Sequence, residues 1–171
     1  LRALGAAVPP LAAELAIEGT GLRGLRRPAA PLDCGNSGTT ARLMAGILAA
    51  HPFESTLVGD ASLSRRPMRR IQRPLHAMGA RIDLTEAGTL PMTVHGASLG
   101  AIDWDTGTAS AQVKSAILLA ALVAGTRATV HEPVRSRDHT ERMLLAMGAP
   151  VVARDTTVSI AAVPSRLKPR R

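Results

Sequence analysis

Two short segments of this 171-residue chain gather glycine, hydroxyl and amide side chains immediately ahead of an apolar run. The first is Asp33-Cys34-Gly35-Asn36-Ser37-Gly38-Thr39-Thr40-Ala41-Arg42, and the second is Ala109-Ser110-Ala111-Gln112-Val113-Lys114. Each reads as a turn opening a helix, where unpaired backbone N–H groups and the positive end of the helix dipole attract anions. Neither is a Walker phosphate loop, because the Gly-Lys-Ser/Thr ending is absent. Aligning the segments lays Ser110 on Ser37 and Gln112 on Thr39, so two equivalent polar helix starts are predicted to face one end of the molecule. Core packing gives no reason for Gln or Lys at a buried helix entrance. The basic run Arg65-Arg66-Pro67-Met68-Arg69-Arg70 suits either a solvated helix face or a pocket for phosphate and carboxylate, whose oxygens match the planar guanidinium.

The elements that must position these residues come from an internal repeat. Leu1-Arg2-Ala3-Leu4-Gly5-Ala6 recurs as Leu75-His76-Ala77-Met78-Gly79-Ala80 and as Leu144-Leu145-Ala146-Met147-Gly148-Ala149. In each copy glycine stands where a helix ends in a left-handed cap, and short strands follow. The predicted strands are 80–84 and 91–96, then 149–153 and 156–161, with 15–19 as the second strand of the first copy. Upstream, 36–50 and 109–124 read as helices, and 55–59 and 128–132 as strands. These first helices are apolar nearly all round and are expected to be enclosed on every side. The second helices are amphipathic, with Ile71, Leu75 and Met78 matching Thr140, Leu144 and Met147. Asp138-His139-Thr140-Glu141 has the form of a capping box, Pro67 that of a first-turn proline, and Pro74 predicts a kink or an irregular start. The boundaries that follow are 1–24 for the end of repeat one, 25–97 for repeat two, 98–163 for repeat three and 164–171 for a tail.

Composition narrows the function. Aromatic residues make up 1% of the chain, so a nucleic-acid reader built on stacked rings has nothing to stack with. The net charge of +8 alone favours nucleic acid, and it also suits acidic small molecules. A single cysteine, Cys34, excludes an internal disulfide framework and a cysteine-based zinc site and fits a reducing compartment. The longest apolar run, 116–124, falls short of the roughly 20 residues that span a bilayer. A soluble, cytoplasmic protein without a signal peptide is expected, and the absence of an initial Met predicts a chain that starts mid-protein.

Four segments together resemble the 5-enolpyruvylshikimate-3-phosphate synthase family: 32–43 around Gly35-Asn36-Ser37-Gly38, 59–68 with Arg65-Arg66-Pro67-Met68, Ser110-Ala111-Gln112-Val113-Lys114-Ser115-Ala116, and Ser136-Arg137-Asp138-His139-Thr140-Glu141-Arg142-Met143. The resemblance runs from Leu1 to about Val163. It implies an α/β (α+β) fold of repeated βαβαββ units with buried parallel helices, the enolpyruvyl transferase-like inside-out prism, with about two and a third units of one domain of a two-domain enzyme present. It also implies transfer of the enolpyruvyl group of phosphoenolpyruvate to the 5-hydroxyl of shikimate 3-phosphate, with release of phosphate and with no metal or organic cofactor.

Position by position, the resemblance gives Asn36, Gly38, Arg66 and Gln112 to phosphoenolpyruvate, and Ser110, Gln112 and Arg137 to shikimate 3-phosphate. Ala111 departs from members that carry a second Ser there. No residue of this chain is given a proton-transfer role, and the implied partners are the two small substrates and the second domain of the same enzyme, in a monomer that binds neither nucleic acid nor membrane. The isolated chain is therefore expected to be inactive. UDP-N-acetylglucosamine enolpyruvyl transferase is the alternative within the same chemistry, but its reactive loop cysteine has no counterpart here. A basic nucleic-acid-binding module and an inert structural fragment are the others. Cys34 reads as a packed small residue, His76, His95 and His139 as surface or capping residues without metal-ligand grouping, and Lys114 is left open between the phosphate and solvent.

Overall fold

The computed structural model describes residues 1–162 and 167–168. Two sheets carry the same strand order and the same senses. The first is formed by β1 (Leu32–Asp33), β2 (Glu54–Val58), β3 (Arg81–Asp83) and β4 (Met92–His95), in the order β1-β2-β4-β3. The second is formed by β5 (Ile102–Asp105), β6 (Ala128–His131), β7 (Val151–Arg154) and β8 (Thr157–Ile160), in the order β5-β6-β8-β7. In both, the first pair is parallel and the remaining pairs are antiparallel. A parallel pair needs a crossover helix, supplied by α1 (Gly38–Ala49) and by α3 (Ala111–Ala124). The second helices, α2 (Arg69–Ala77) and α4 (His139–Ala146), precede the antiparallel hairpins. Each sheet therefore belongs to one βαβαββ unit.

The central helices α1 and α3 lie inside and the sheets outside, while α2 and α4 bury one face each. Along β2, β4, β6 and β8 alternate residues turn inward, and Leu57, Met92, Val94, Val130, Val158 and Ile160 are buried. The outward positions carry Thr56 facing Thr93 and His131 facing Asp103. The centre is built from small side chains, Ala41, Ala45, Leu48 and Ala49 of α1 against Ala116, Ala120 and Ala121 of α3. Gly46 permits that approach, since a Cβ there would strike the Ala116 backbone, with its Cα at 3.0 Å and its carbonyl oxygen closer still.

Several expectations change in detail. The helices begin later than the residue pattern indicates, because Ser37 and Ser110 are N-caps whose hydroxyls accept from the amides of Thr40 (3.1 Å) and Val113 (3.5 Å). Enclosure on every side holds for α3, where Val113 to Val123 are all buried; α1 keeps Leu43, Met44 and Ile47 only partly covered. Pro67 stands before the N-cap Met68 rather than in the first turn, and α2 runs through the buried Pro74 without interruption. The second strand placed at 15–19 is a single antiparallel bridge between Ala7 and Glu18. The tail at 164–171 lies largely outside the described residues; of it, the Lys168 amide donates to the Met147 carbonyl at 2.8 Å. Among the described residues no helix is long and apolar enough to cross a membrane.

Candidate functional site

The turn ahead of α1, the segment after β2 and the start of α3 meet on one face. Gly35 adopts φ 54°, a left-handed conformation open to glycine, and lets the chain fold back from β1 into the cap at Ser37. Asn36 then sits between two charges. Its Nδ2 donates to Asp60 Oδ2 at 2.7 Å, and its Oδ1 accepts from Arg66 Nη2 at 2.5 Å. Asp60 is fixed in turn by the Leu63 amide, which donates to Oδ1 at 2.8 Å. That backbone amide first, then the Asn36 amide and the Arg66 charge, hold the exposed Asp60 carboxyl below the usual range.

Arg42 extends from the second turn of α1 back over its start. Its Nη1 donates to Gln112 Oε1 at 2.9 Å, and its Nη2 to the Pro67 carbonyl at 3.1 Å. Both arginines close on Gly38, where a Cβ would lie 2.6 Å from Arg42 Nη1 and 3.4 Å from Arg66 Nη1. Burial, then the neighbouring charges of Arg66 and Arg70, lower the Arg42 pKa from its ordinary value. Cations gathered in this way at a helix start favour an anion that would relieve their repulsion.

Gln112 joins this cluster to a second one. Its Nε2 donates to Thr39 Oγ1 at 2.7 Å while Arg42 holds its oxygen. Beside it, Thr39, Leu43, Ala111, Gln112, Ser115, Arg137, His139 and Thr140 line a cavity of about 170 Å³. Ser115 Oγ and Thr140 Oγ1, 2.7 Å apart, link α3 to α4 at its edge. A more open hollow of about 560 Å³ lies elsewhere, between the 7–9 and 16–18 segments, and gathers no comparable set of polar side chains.

The structure thus brings Asn36, Gly38, Arg66 and Gln112 into one connected cluster and sets Arg137 across the adjoining cavity. Ser110 caps α3 beside them. Arg42 and Asp60 were not singled out from sequence, and Thr39 was named only as the repeat counterpart of Gln112, although a lone arginine in the otherwise apolar stretch 41–50 was a signal for Arg42. Lys114 lies neither by the anion face nor in solvent: its side chain is 1% exposed and its ammonium meets Glu132 Oε2 at 2.8 Å and Glu141 Oε1 at 2.7 Å. Glu141 is thereby drawn inward, and the capping box at 138–141 does not form; Asp138 is the N-cap with no side-chain cap bond. His76 Nε2 accepts from the Ile82 amide at 2.8 Å, and His95 bridges Asp83 and Glu54 on the outer sheet face. Cys34 is buried, and burial followed by the charge of Asp33 raises its thiol pKa.

Paired βαβαββ units with central helices inside, both opening onto an arginine-lined face, define the enolpyruvyl transferase class of fold. The chain belongs to the EPSP synthase (3-phosphoshikimate 1-carboxyvinyltransferase) family, whose model matches residues 1–170. It is 58% identical over 156 residues to the 3-phosphoshikimate 1-carboxyvinyltransferase of Methylococcus capsulatus, covering 90% of this chain and 36% of that protein. Its identity to the protein of the same name from Halorhodospira halophila is 55% over 152 residues, covering 88% of this chain and 34% of the relative. The solved EPSP synthase of Acinetobacter baumannii superposes with a TM-score of 0.92 at 46% identity, covering 98% of this chain and 38% of that one. The chain thus spans a little over a third of the length of these relatives.

Proposed function

We propose that this chain supplies much of the substrate-binding surface of one domain of a 3-phosphoshikimate 1-carboxyvinyltransferase. In that reaction the enolpyruvyl group of phosphoenolpyruvate passes to the 5-hydroxyl of shikimate 3-phosphate and inorganic phosphate leaves. Phosphoenolpyruvate is assigned to the turn at Asn36 and Gly38, with Arg66 on its phosphate and Gln112 reaching it from α3. Shikimate 3-phosphate is assigned to the cavity beside Gln112, with Ser110 and Arg137 as further contacts. The observation that carries this reading is the closure of Arg42 and Arg66 over Gly38, with Gln112 bonded to Arg42 and exposed to the adjoining cavity.

The chemistry of binding follows from those groups. Guanidiniums and helix-start dipoles offer fixed positive charge to two polyanionic substrates without a metal or organic cofactor. Proton transfer to and from carbon and oxygen requires a general acid and base within hydrogen-bond reach. We assign these to the part of the relatives' length that this chain does not match, as the second domain of the same monomeric enzyme. The single cysteine supports action in the reducing cytoplasm.

Calorimetric titration tests this reading. The chain is expected to bind shikimate 3-phosphate and to discriminate against unphosphorylated shikimate, with Arg137→Ala and Ser110→Ala each weakening binding by about tenfold, the worth of one charge-assisted hydrogen bond. No turnover is expected in a coupled phosphate-release assay of the chain alone. Equal affinity for shikimate and its 3-phosphate overturns the assignment.

A further inference from the structure

A lysine and two glutamates are buried directly behind the α3 helix start. The side chains of Lys114, Glu132 and Glu141 are 1%, 1% and 3% exposed. Stability does not account for them, because replacing a buried ion group by apolar residues of similar volume is often neutral or stabilising. The group is also imperfectly satisfied. It carries two carboxylates against one ammonium, and Glu141 Oε2 and the nearby Ser136 hydroxyl are buried with no partner among the described residues.

Its connections are more informative. Glu132 follows β6; its Oε1 accepts from the amide of Ser110, the α3 N-cap, at 3.2 Å, and its Oε2 accepts from the amide of Ser136, next to Arg137, at 3.4 Å. Lys114 belongs to α3, and Glu141 to α4, whose first residues His139 and Thr140 line the cavity. The group therefore ties together, from behind, the two segments that bear Ser110 and Gln112 on one side and Arg137 on the other.

We infer that Lys114, Glu132 and Glu141 are positioning residues, and that this buried triad fixes the separation between the start of α3 and the 136–140 segment across the ligand cavity. Its effect on affinity rests on the assignment of shikimate 3-phosphate to that cavity. Its effect on geometry does not. Two variants of the full chain test it: Glu132→Gln, which keeps the shape but loses the charge, and the uncharged triple variant Lys114→Met, Glu132→Gln, Glu141→Gln, which avoids an orphaned buried ion.

In the unliganded chain, amide hydrogen exchange at Ser110 and Ser136 is expected to speed up about tenfold in both variants, in line with the loss of a hydrogen bond to a charged acceptor. The dissociation constant for shikimate 3-phosphate is expected to rise about tenfold in both, while the triple variant keeps its urea midpoint. Wild-type affinity in either folded variant, or unchanged exchange at both amides, overturns the inference. If the unaltered chain binds no shikimate 3-phosphate, the proposed function fails on that result, and the exchange rates still decide whether the triad positions the two segments.

Discussion

Thr39 and Gln112 occupy the same second position in α1 and α3, and they touch, with Gln112 Nε2 donating to Thr39 Oγ1 at 2.7 Å. Residues 73 apart in the chain, each two beyond a serine N-cap, thus join the two helix starts into one surface. Gln112 also accepts from Arg42, so its amide is oriented from both ends. Gln112→Ala removes both bonds at a partly solvated position. A stability loss of about 1 kcal/mol in urea is expected, together with at least about tenfold weaker binding of shikimate 3-phosphate. A loss of several kcal/mol without a change in affinity would assign the amide to the core rather than to the ligand.

The meeting of Thr39 and Gln112 depends on how closely α1 approaches α3, and Gly46 sets that approach. A Cβ at this position confronts the backbone of Ala116, which cannot swing aside as a side-chain end can. Gly46→Ala gains about 1 kcal/mol of helix propensity. Overpacking costs about 1–3 kcal/mol, so a net destabilisation in chemical unfolding is expected. Binding should weaken as well, because separating the helices pulls Thr39 from Gln112.

Gly38 is crowded in a different way. The nearest atom to a Cβ there is Arg42 Nη1 at 2.6 Å, the far end of a flexible side chain. Gly38→Ala is therefore expected to fold with stability within about 0.5 kcal/mol of the unaltered chain. The displaced guanidinium would lose its bond to Gln112, so phosphoenolpyruvate titrated in the presence of saturating shikimate 3-phosphate should bind about tenfold more weakly. Unchanged phosphoenolpyruvate affinity would remove Arg42 from the ligand's surroundings.

These helix starts were legible because they depend on local chemistry. Glycine, hydroxyl and amide side chains ahead of an apolar run marked each start to within two residues, short of the caps at Ser37 and Ser110, and the recurrence of Leu-x-Ala-x-Gly-Ala sets the two units in register without knowledge of their packing. The resemblance singled out Asn36, Gly38, Arg66 and Gln112, and the structure brings these four into one cluster. Long-range charge pairing was not legible. Lys114 and Glu132 are 18 residues apart with no periodic relation, and the spacing of Asp138 and Glu141 favoured a cap that the buried ammonium overrides. Arg42 was hidden for the same reason, since its partner Gln112 stands 70 residues away on another helix.

The buried pair also sets an acid limit on the fold. Burial alone would raise the Glu132 carboxyl, but hydrogen bonds from Lys114 and Ser136 and the Lys114 charge outweigh it, so its pKa lies below the ordinary glutamate value. A carboxyl with a folded pKa below its unfolded one binds fewer protons when folded. Its contribution to stability is present above the unfolded value, near about 4.3, and is lost as pH falls through the folded value. Asp60 and Asp83 are shifted in the same direction at the surface, where solvent screens their contribution. Urea unfolding should therefore give a stability that declines below about pH 5, and Glu132→Gln should decline less steeply, so that the gap between the two chains narrows as the pH falls. A constant gap from pH 7 to pH 3 would mean that the Glu132 carboxyl binds protons equally in the folded and unfolded chains, and that Lys114 and Ser136 do not lower it.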